Sequence, residues 1–192
     1  MRPFLSSFAL LLVAAPLAAQ GGAYGPSGGA PAAAATVPAV GSAAPDFTAS
    51  VVDSTGLKAA PVTLSKLRGK VVVLAFYPGD FTGGCTIEMT KFRDEYKTLF
   101  GDGVVLLPTS INTIDSHTRW EKAKQFPFDL MLDTAGVVAK QYGSYGPKMF
   151  SRTLWVIGKD GKVAYTDMRF NVNAQDAYDK MAAAIKAAKD AK

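Results

Sequence analysis

The sequence predicts an α/β domain, a mixed central β-sheet flanked by helices. Three observations predict it. Two continuous apolar runs, Val71–Tyr77 and Val104–Pro108, have strand length and no polar alternation, as strands buried on both faces do. Between them Cys85, Met89, Phe92, Tyr96 and Leu99 recur at steps of four and three, which is one face of an α-helix. The remaining signals continue the alternation of strand and helix and end on a hairpin and a helix, an order that covers a sheet with helices.

Taken from the start, Met1-Arg2-Pro3 is a short basic opening and Phe4 to Leu17 an apolar run broken only by Ser6, Ser7 and Pro16. Ala18-Ala19-Gln20 then offers a small-residue cleavage site. This three-part layout predicts a signal peptide over residues 1–19, cleaved after Ala19, and export to a periplasm or the extracellular space. The alternative is a retained anchor, but the run is short for a span of about 20 residues. No stable membrane insertion is expected after cleavage. Residues 20–40 are rich in Gly, Ala and Pro, without charge or periodicity, a composition expected of a flexible leader. Residues 41–192 are expected to form the domain.

Phe47 to Val52 alternates as a short strand would, and Asp53-Ser54-Thr55-Gly56 is a turn. Pro61 to Leu64 reads as a second short strand before a turn at Lys66 to Lys70. The helix that carries Cys85 starts after Thr82 and is stopped by Gly101-Asp102-Gly103. Lys91, Asp94, Glu95 and Lys97 take its other face. Asp115-Ser116 can cap a helix over His117 to Gln125. Phe128 to Leu132 is short and apolar, and Asp133-Thr134 can start a helix through Tyr142. Arg152 to Ile157 and Val163 to Thr166 flank the turn Lys159-Asp160-Gly161-Lys162 as a hairpin. Ala174 to Lys189 is a final amphipathic helix.

Charge and residue counts exclude several functions. The formal charge is +5, but the basic residues are mostly scattered lysines without interleaved aromatics, which reads as a solvated surface with no nucleic-acid partner. One cysteine excludes an intrachain disulfide, a CxxC pair and a Cys-based zinc site. One histidine, His117, argues against an ordinary zinc site; it is expected at the surface or at a helix cap. Trp120 and Trp155 are expected in the core, and Asp53 and Asp133 as isolated turn or cap acids. No glycine-rich phosphate motif follows a strand, so no cofactor and no metal are expected.

The chemistry points to Cys85. Pro78 ends the first buried strand, Thr82 is a candidate N-cap, and Cys85 becomes about the third helical residue. Its sulfur then lies near the free N–H groups and the positive dipole end of the helix, which favour a thiolate, while burial opposes one. Gly83 and Gly84 leave the backbone open to a small reactant. A cation is needed to complete such a site, and the loop holds no Lys or Arg. On spacing alone, a reactive thiol and a small core side chain remain equal alternatives.

Pro78-x3-Thr82-x2-Cys85 resembles the PxxxTxxC signature of the peroxiredoxins. Tyr77 to Thr82, Ala44-Pro45-Asp46-Phe47, Glu88, and Arg152-Thr153 with Gly158 to Gly161 are similar to further segments of that family, over about Val40 to Lys189. The bacterioferritin-comigratory group within the alkyl hydroperoxide reductase and thiol-specific antioxidant superfamily is the nearest in character. The resemblance implies a thioredoxin-like fold and a thiol peroxidase with a peroxide substrate. It implies that Cys85 attacks the peroxide and that the Thr82 hydroxyl orients the attack. Arg152 would be the missing cation, the Gly84 and Cys85 N–H groups would bind peroxide oxygen, and Pro78 would shield the sulfur. Glu88 would hold the arginine; a solvated Glu88 paired with Lys91 is the alternative.

One departure matters. Many members of this group carry a resolving cysteine five residues after the reactive one, where this chain has Thr90. Gly83 also replaces a proline common there. The resolver must come from outside: a protein disulfide reductase of thioredoxin type, a small thiol or a second copy of the chain, so an oligomer is open. Competing functions are a thiol–disulfide oxidoreductase, whose CxxC would place a cysteine at Thr82, and a non-catalytic peroxide-sensing module.

Overall fold

The central strand of the molecule is the apolar run that precedes Cys85. The structure, a computed structural model, describes residues 37–191. The expected signal peptide and nearly all of the leader lie outside the described residues. In chain order the first elements are β1 (Thr48–Ala49), β2 (Val51–Asp53), β3 (Gly56–Leu57), β4 (Val62–Thr63), a 3₁₀ turn (Leu64–Leu67), β5 (Val71–Phe76), α1 (Gly83–Asp94) and α2 (Tyr96–Leu99). There follow β6 (Val104–Ser110), α3 (Ile114–Lys124), β7 (Leu130–Leu132), α4 (Val137–Gln141), β8 (Thr153–Ile157), β9 (Val163–Asp167) and α5 (Gln175–Asp190).

Among the described residues, seven strands form one mixed sheet in the order β3-β2-β7-β6-β5-β8-β9, and β1 pairs β4 in a separate two-stranded ribbon. β5 runs parallel to β6 and antiparallel to β8, with six and five residue pairs respectively. A strand paired on both edges and covered on both faces must be apolar throughout, and every residue of β5 is buried. Val71, Val73 and Ala75 face the layer built from α1, α5 and Trp120 of α3. Val72, Leu74 and Phe76 face the opposite layer, with Val138, Ala139, Tyr142 and Trp155. The period of two thus divides one strand between two cores.

Several boundaries differ from expectation, each for a physical reason. The Phe47–Val52 strand is two strands, because its first residues pair β4 and its last pair β7. The helix after Thr82 is broken at Glu95, whose φ of −104° and ψ of 18° end α1 before α2 begins. β6 runs past Pro108 to Ser110. Pro108 is tolerated because Thr109 turns its carbonyl to Tyr77 of the β5 side. Pro108 therefore faces β7, ahead of the first β6–β7 pair at Thr109↔Met131. α3 starts at Ile114 rather than His117, and its cap is Thr113, whose hydroxyl accepts from the Ser116 N–H. α4 starts later than Asp133-Thr134, but the Asp133 carboxylate still accepts from the Val138 and Ala139 N–H groups at its first turn.

Leu74 lies at the middle of β5 with no solvent exposure. Leu74→Ala is expected to lower unfolding stability by about 2–5 kcal/mol, read from urea denaturation, because the paired neighbours cannot collapse into the space.

Candidate active site

The site is built where β5 ends. Tyr77 is the last residue held by the sheet, through its N–H to Thr109 O. The chain then crosses Pro78 and Gly79, both half-buried, and enters α1 at Gly83. Phe81, half-exposed, takes φ 58°, a left-handed conformation costly for an aromatic residue. Thr82 has the extended backbone of an N-cap (φ −76°, ψ 152°), as expected, and Cys85 is the third residue of α1. The Thr82 side chain does not cap: its hydroxyl donates to Gly79 O at 3.0 Å. It makes no hydrogen bond to Cys85 among the described residues. The Gly84 and Cys85 N–H groups, at the second and third helical positions, have no intrahelical acceptor.

The missing cation arrives from the far end of the chain. In the β5–β8 register Phe76 stands opposite Thr153, so the residue before β8 emerges at the same sheet edge as Tyr77. That residue is Arg152. Its Nη2 donates to Cys85 Sγ at 3.3 Å, and its Nη1 donates to Glu88 Oε2. Glu88 lies three residues after Cys85, on the same inward face, and is fully buried. The alternative pairing with Lys91 does not occur; Lys91 bonds Glu95 and Gln175 instead. One guanidinium thus spans a buried carboxylate and a buried sulfur. Gly84 makes room for it: a Cβ there would stand 3.1 Å from Arg152 Nη2.

The electrostatics follow from burial. Loss of water pushes the Glu88 carboxyl up to about 7, and the Arg152 charge and hydrogen bond pull against that rise. Burial works against the Arg152 charge, but Glu88 and the Cys85 hydrogen bond outweigh it and the guanidinium is held more firmly protonated than usual. Burial also pushes the Tyr77 phenol well above its usual range, aided by the Asp80 charge, so its hydroxyl remains a donor.

Residues 40–166 match the AhpC/TSA family. The chain belongs to that family. It is 42% identical over 109 residues to peroxiredoxin 2 of Thermoplasma acidophilum, covering 54% of this chain and 52% of the other. It is 35% identical over 133 residues to a putative peroxiredoxin bcp of Coxiella burnetii, covering 65% of this chain and 85% of that one. The chain spans about half the length of the Thermoplasma relative. Its fold superposes on the crystal structure of peroxidoxin BcpB from Mycobacterium tuberculosis with TM-score 0.66 and 30% identity, covering 78% of this chain and 97% of that one. The fold is thioredoxin-like, as the resemblance implied.

The structure brings Cys85, Arg152 and Glu88 together, with Gly84 beside the guanidinium; Thr82 and Pro78 border the loop. One expectation is corrected. His117 is neither at the surface nor a cap: it is fully buried, with Nδ1 2.9 Å from Asp80 Oδ2. Helix α3 begins earlier than expected, so His117 is not its first residue, and it lies on the inward face three residues before Trp120. That i, i+3 spacing to a buried tryptophan is the signal that could have found it. Among the described residues, no group of three His, Cys, Asp or Glu side chains could hold a metal ion.

Glu88 carries a pH consequence. Its folded value lies above the ordinary glutamate range, so the folded chain binds the proton more tightly than the unfolded chain. The resulting stabilisation is complete below that ordinary range and is lost as pH rises through about 7. In Glu88→Gln this component is absent. Denaturation midpoints recorded from about pH 5 to 8 are expected to fall more steeply with pH in the wild type than in the variant.

Proposed function

We propose that the chain is a thiol-dependent peroxidase that reduces hydrogen peroxide or organic hydroperoxides to water or alcohol. The observation that carries this reading is the Arg152 Nη2 donor 3.3 Å from the Cys85 sulfur at the first turn of α1. A core cysteine needs no such partner, and a cation buried against sulfur is useful where the sulfur must hold negative charge.

In the proposed reaction the Cys85 thiolate attacks the distal peroxide oxygen. An S–O bond forms and the O–O bond breaks. Both electrons of that bond leave with the proximal oxygen, which takes a proton and departs as water or alcohol. The sulfur is oxidised to sulfenic acid. Arg152 stabilises the charge as it moves from sulfur to oxygen, and the free N–H groups of Gly84 and Cys85 face the oxygens. The Thr82 hydroxyl, anchored on Gly79 O, keeps lone pairs with which to orient the peroxide. Pro78 shields the sulfur. One external thiol then displaces water to give a mixed disulfide. A second thiol releases Cys85, so two thiols are oxidised for each peroxide reduced.

The reductant is proposed to be a small thiol or a thioredoxin-type protein, because the chain has a single cysteine. The same count weighs against a dithiol oxidoreductase. Export to a periplasm or the extracellular space is proposed from the layout of residues 1–19, and N-terminal sequencing of the secreted protein at Gln20 is the expected outcome.

Stopped-flow peroxide consumption tests the reading. Cys85→Ser is expected to be inactive, and Arg152→Met to lose about 10²–10³ in the rate of the peroxide step, the usual cost of removing one stabilising donor. A Cys85→Ser protein that consumed peroxide as fast as the wild type would overturn it.

A further inference from the structure

We propose that the cavity at the C-terminal end of α3 binds a linear alkyl diamine, with one ammonium on the Glu121 carboxylate and the other on Asp53 and Asp129. The cavity is separate from the surroundings of Cys85, and the inference does not rest on the peroxidase reading.

Glu121 carries the argument. It lies one turn after His117 on the inward face of α3 and is only 2% exposed. Its Oε1 is buried and has no hydrogen-bond partner among the described residues. A buried carboxylate left unpaired is costly, and an apolar side chain would pack there with less penalty. The residue lines a cavity of about 400 Å³, room enough for a small ligand.

The other groups around the cavity set the charge of that ligand. Asp53, at the end of β2, and Asp129, just before β7, bring two more carboxylates to its wall. Asp53 Oδ1 accepts from the Thr55 N–H and hydroxyl, which leaves Oδ2 for a ligand. Lys58 pairs Asp129 at 2.9 Å on the part-exposed side, so one charge is matched and the cluster stays negative. The last turn of α3 adds the negative end of its dipole, where Gln125 closes the helix in a left-handed conformation. Lys122 also borders the cavity, but it is exposed and can carry its amine out to solvent. Phe126, stacked on Phe128 with ring centroids 5.1 Å apart, gives an apolar wall on which methylenes can lie. Because these carboxylates are not grouped to hold a metal ion, they fit separate charges joined by a short chain better than one ion.

Burial, with the charges of Asp129, Asp53 and Asp80, pushes the Glu121 carboxyl up to about 8, and Lys58 pulls the other way. An ammonium seated on Glu121 favours its ionised form. Binding therefore expels a proton below that value and tightens as pH rises through it.

Titration calorimetry of the full chain with 1,5-diaminopentane at low ionic strength tests the site. Alkyl amines stay charged over the range used, since they titrate near the ordinary lysine value. Affinity is expected to rise roughly eightfold between about pH 7 and about pH 8.5 as Glu121 ionises. In Glu121→Gln it is expected to be about tenfold weaker at the higher pH, the effect of one lost charge-assisted contact, and flat with pH. Asp53→Asn is expected to weaken binding about threefold and to keep the rise with pH. 1-Aminopentane is expected to bind more weakly than the diamine, and calcium chloride to give no saturable heat. Amide resonances of Ser54, Glu121 and Gln125 are expected to shift on binding, and those of Gly84 and Cys85 to stay in place. No saturable binding up to about 10 mM overturns the proposal. So does an affinity unchanged by Glu121→Gln, a monoamine or calcium that binds as tightly as the diamine, or shifts confined to another part of the chain. Should Glu121→Gln fail to fold, Asp53→Asn and the wild-type pH profile decide: an unchanged affinity in the first or a flat profile in the second overturns the site.

Discussion

The antiparallel register of β5 with β8 is the constraint on which the site depends. Phe76 opposite Thr153 puts Arg152 at the exit of the strand that leads to Cys85, 67 residues away in sequence. A one-residue slip would turn Thr153, Leu154 and every later side chain of β8 to the opposite face of the sheet. Leu154 and Val156 would then leave the core they share with Val73 and Met89, and Trp155 would leave the one it shares with Tyr142. The two cores therefore police the register, and the register places the cation. Stability and reactivity are specified by the same pairing.

Around that fixed point the fold tolerates costly electrostatics. Glu88 sits without solvent contact, and its Oε1 has no hydrogen-bond partner among the described residues. An apolar side chain there would pack with less penalty. What the carboxylate supplies is a second anchor for the guanidinium. With Nη1 held by Glu88, Nη2 is directed at the sulfur rather than free to rotate into solvent. The geometry is one of pre-organisation: the donor is in place before charge develops, so no reorganisation accompanies reaction.

How much of this was readable from sequence depended on the distance between partners. β5, β6 and the α1 face were legible because apolar periodicity reports burial directly. Pro78, Thr82 and Cys85 were legible because they share one short motif. Arg152 came from resemblance, and nothing local reveals it, since its place is set by a strand register. Glu88 was ambiguous because a position three residues along a helix fits either a buried anchor or a surface pair with Lys91; burial decides between them. Asp80 and His117 escaped because each looks ordinary alone, a loop acid and a lone imidazole. Only the parallel β5–β6 pairing, which ends both strands at one edge, brings them together.

Thr90 shows what a second cysteine on α1 would demand of the fold. Cys85, Glu88, Met89 and Phe92 form the inward face of α1, whereas Thr90 borders a shallow outer depression with Thr86, Ile87, Lys91, Asp94 and Glu95. Five helical residues separate Cα atoms by roughly 8–9 Å and turn them well apart. A disulfide cannot span more than about 7 Å without backbone movement. A resolving cysteine at that position would require α1 to unwind, taking Met89 and Phe92 out of the core in every cycle. A chain with threonine there is free of that demand. Its helix can stay packed, and Arg152 and Glu88 can stay paired.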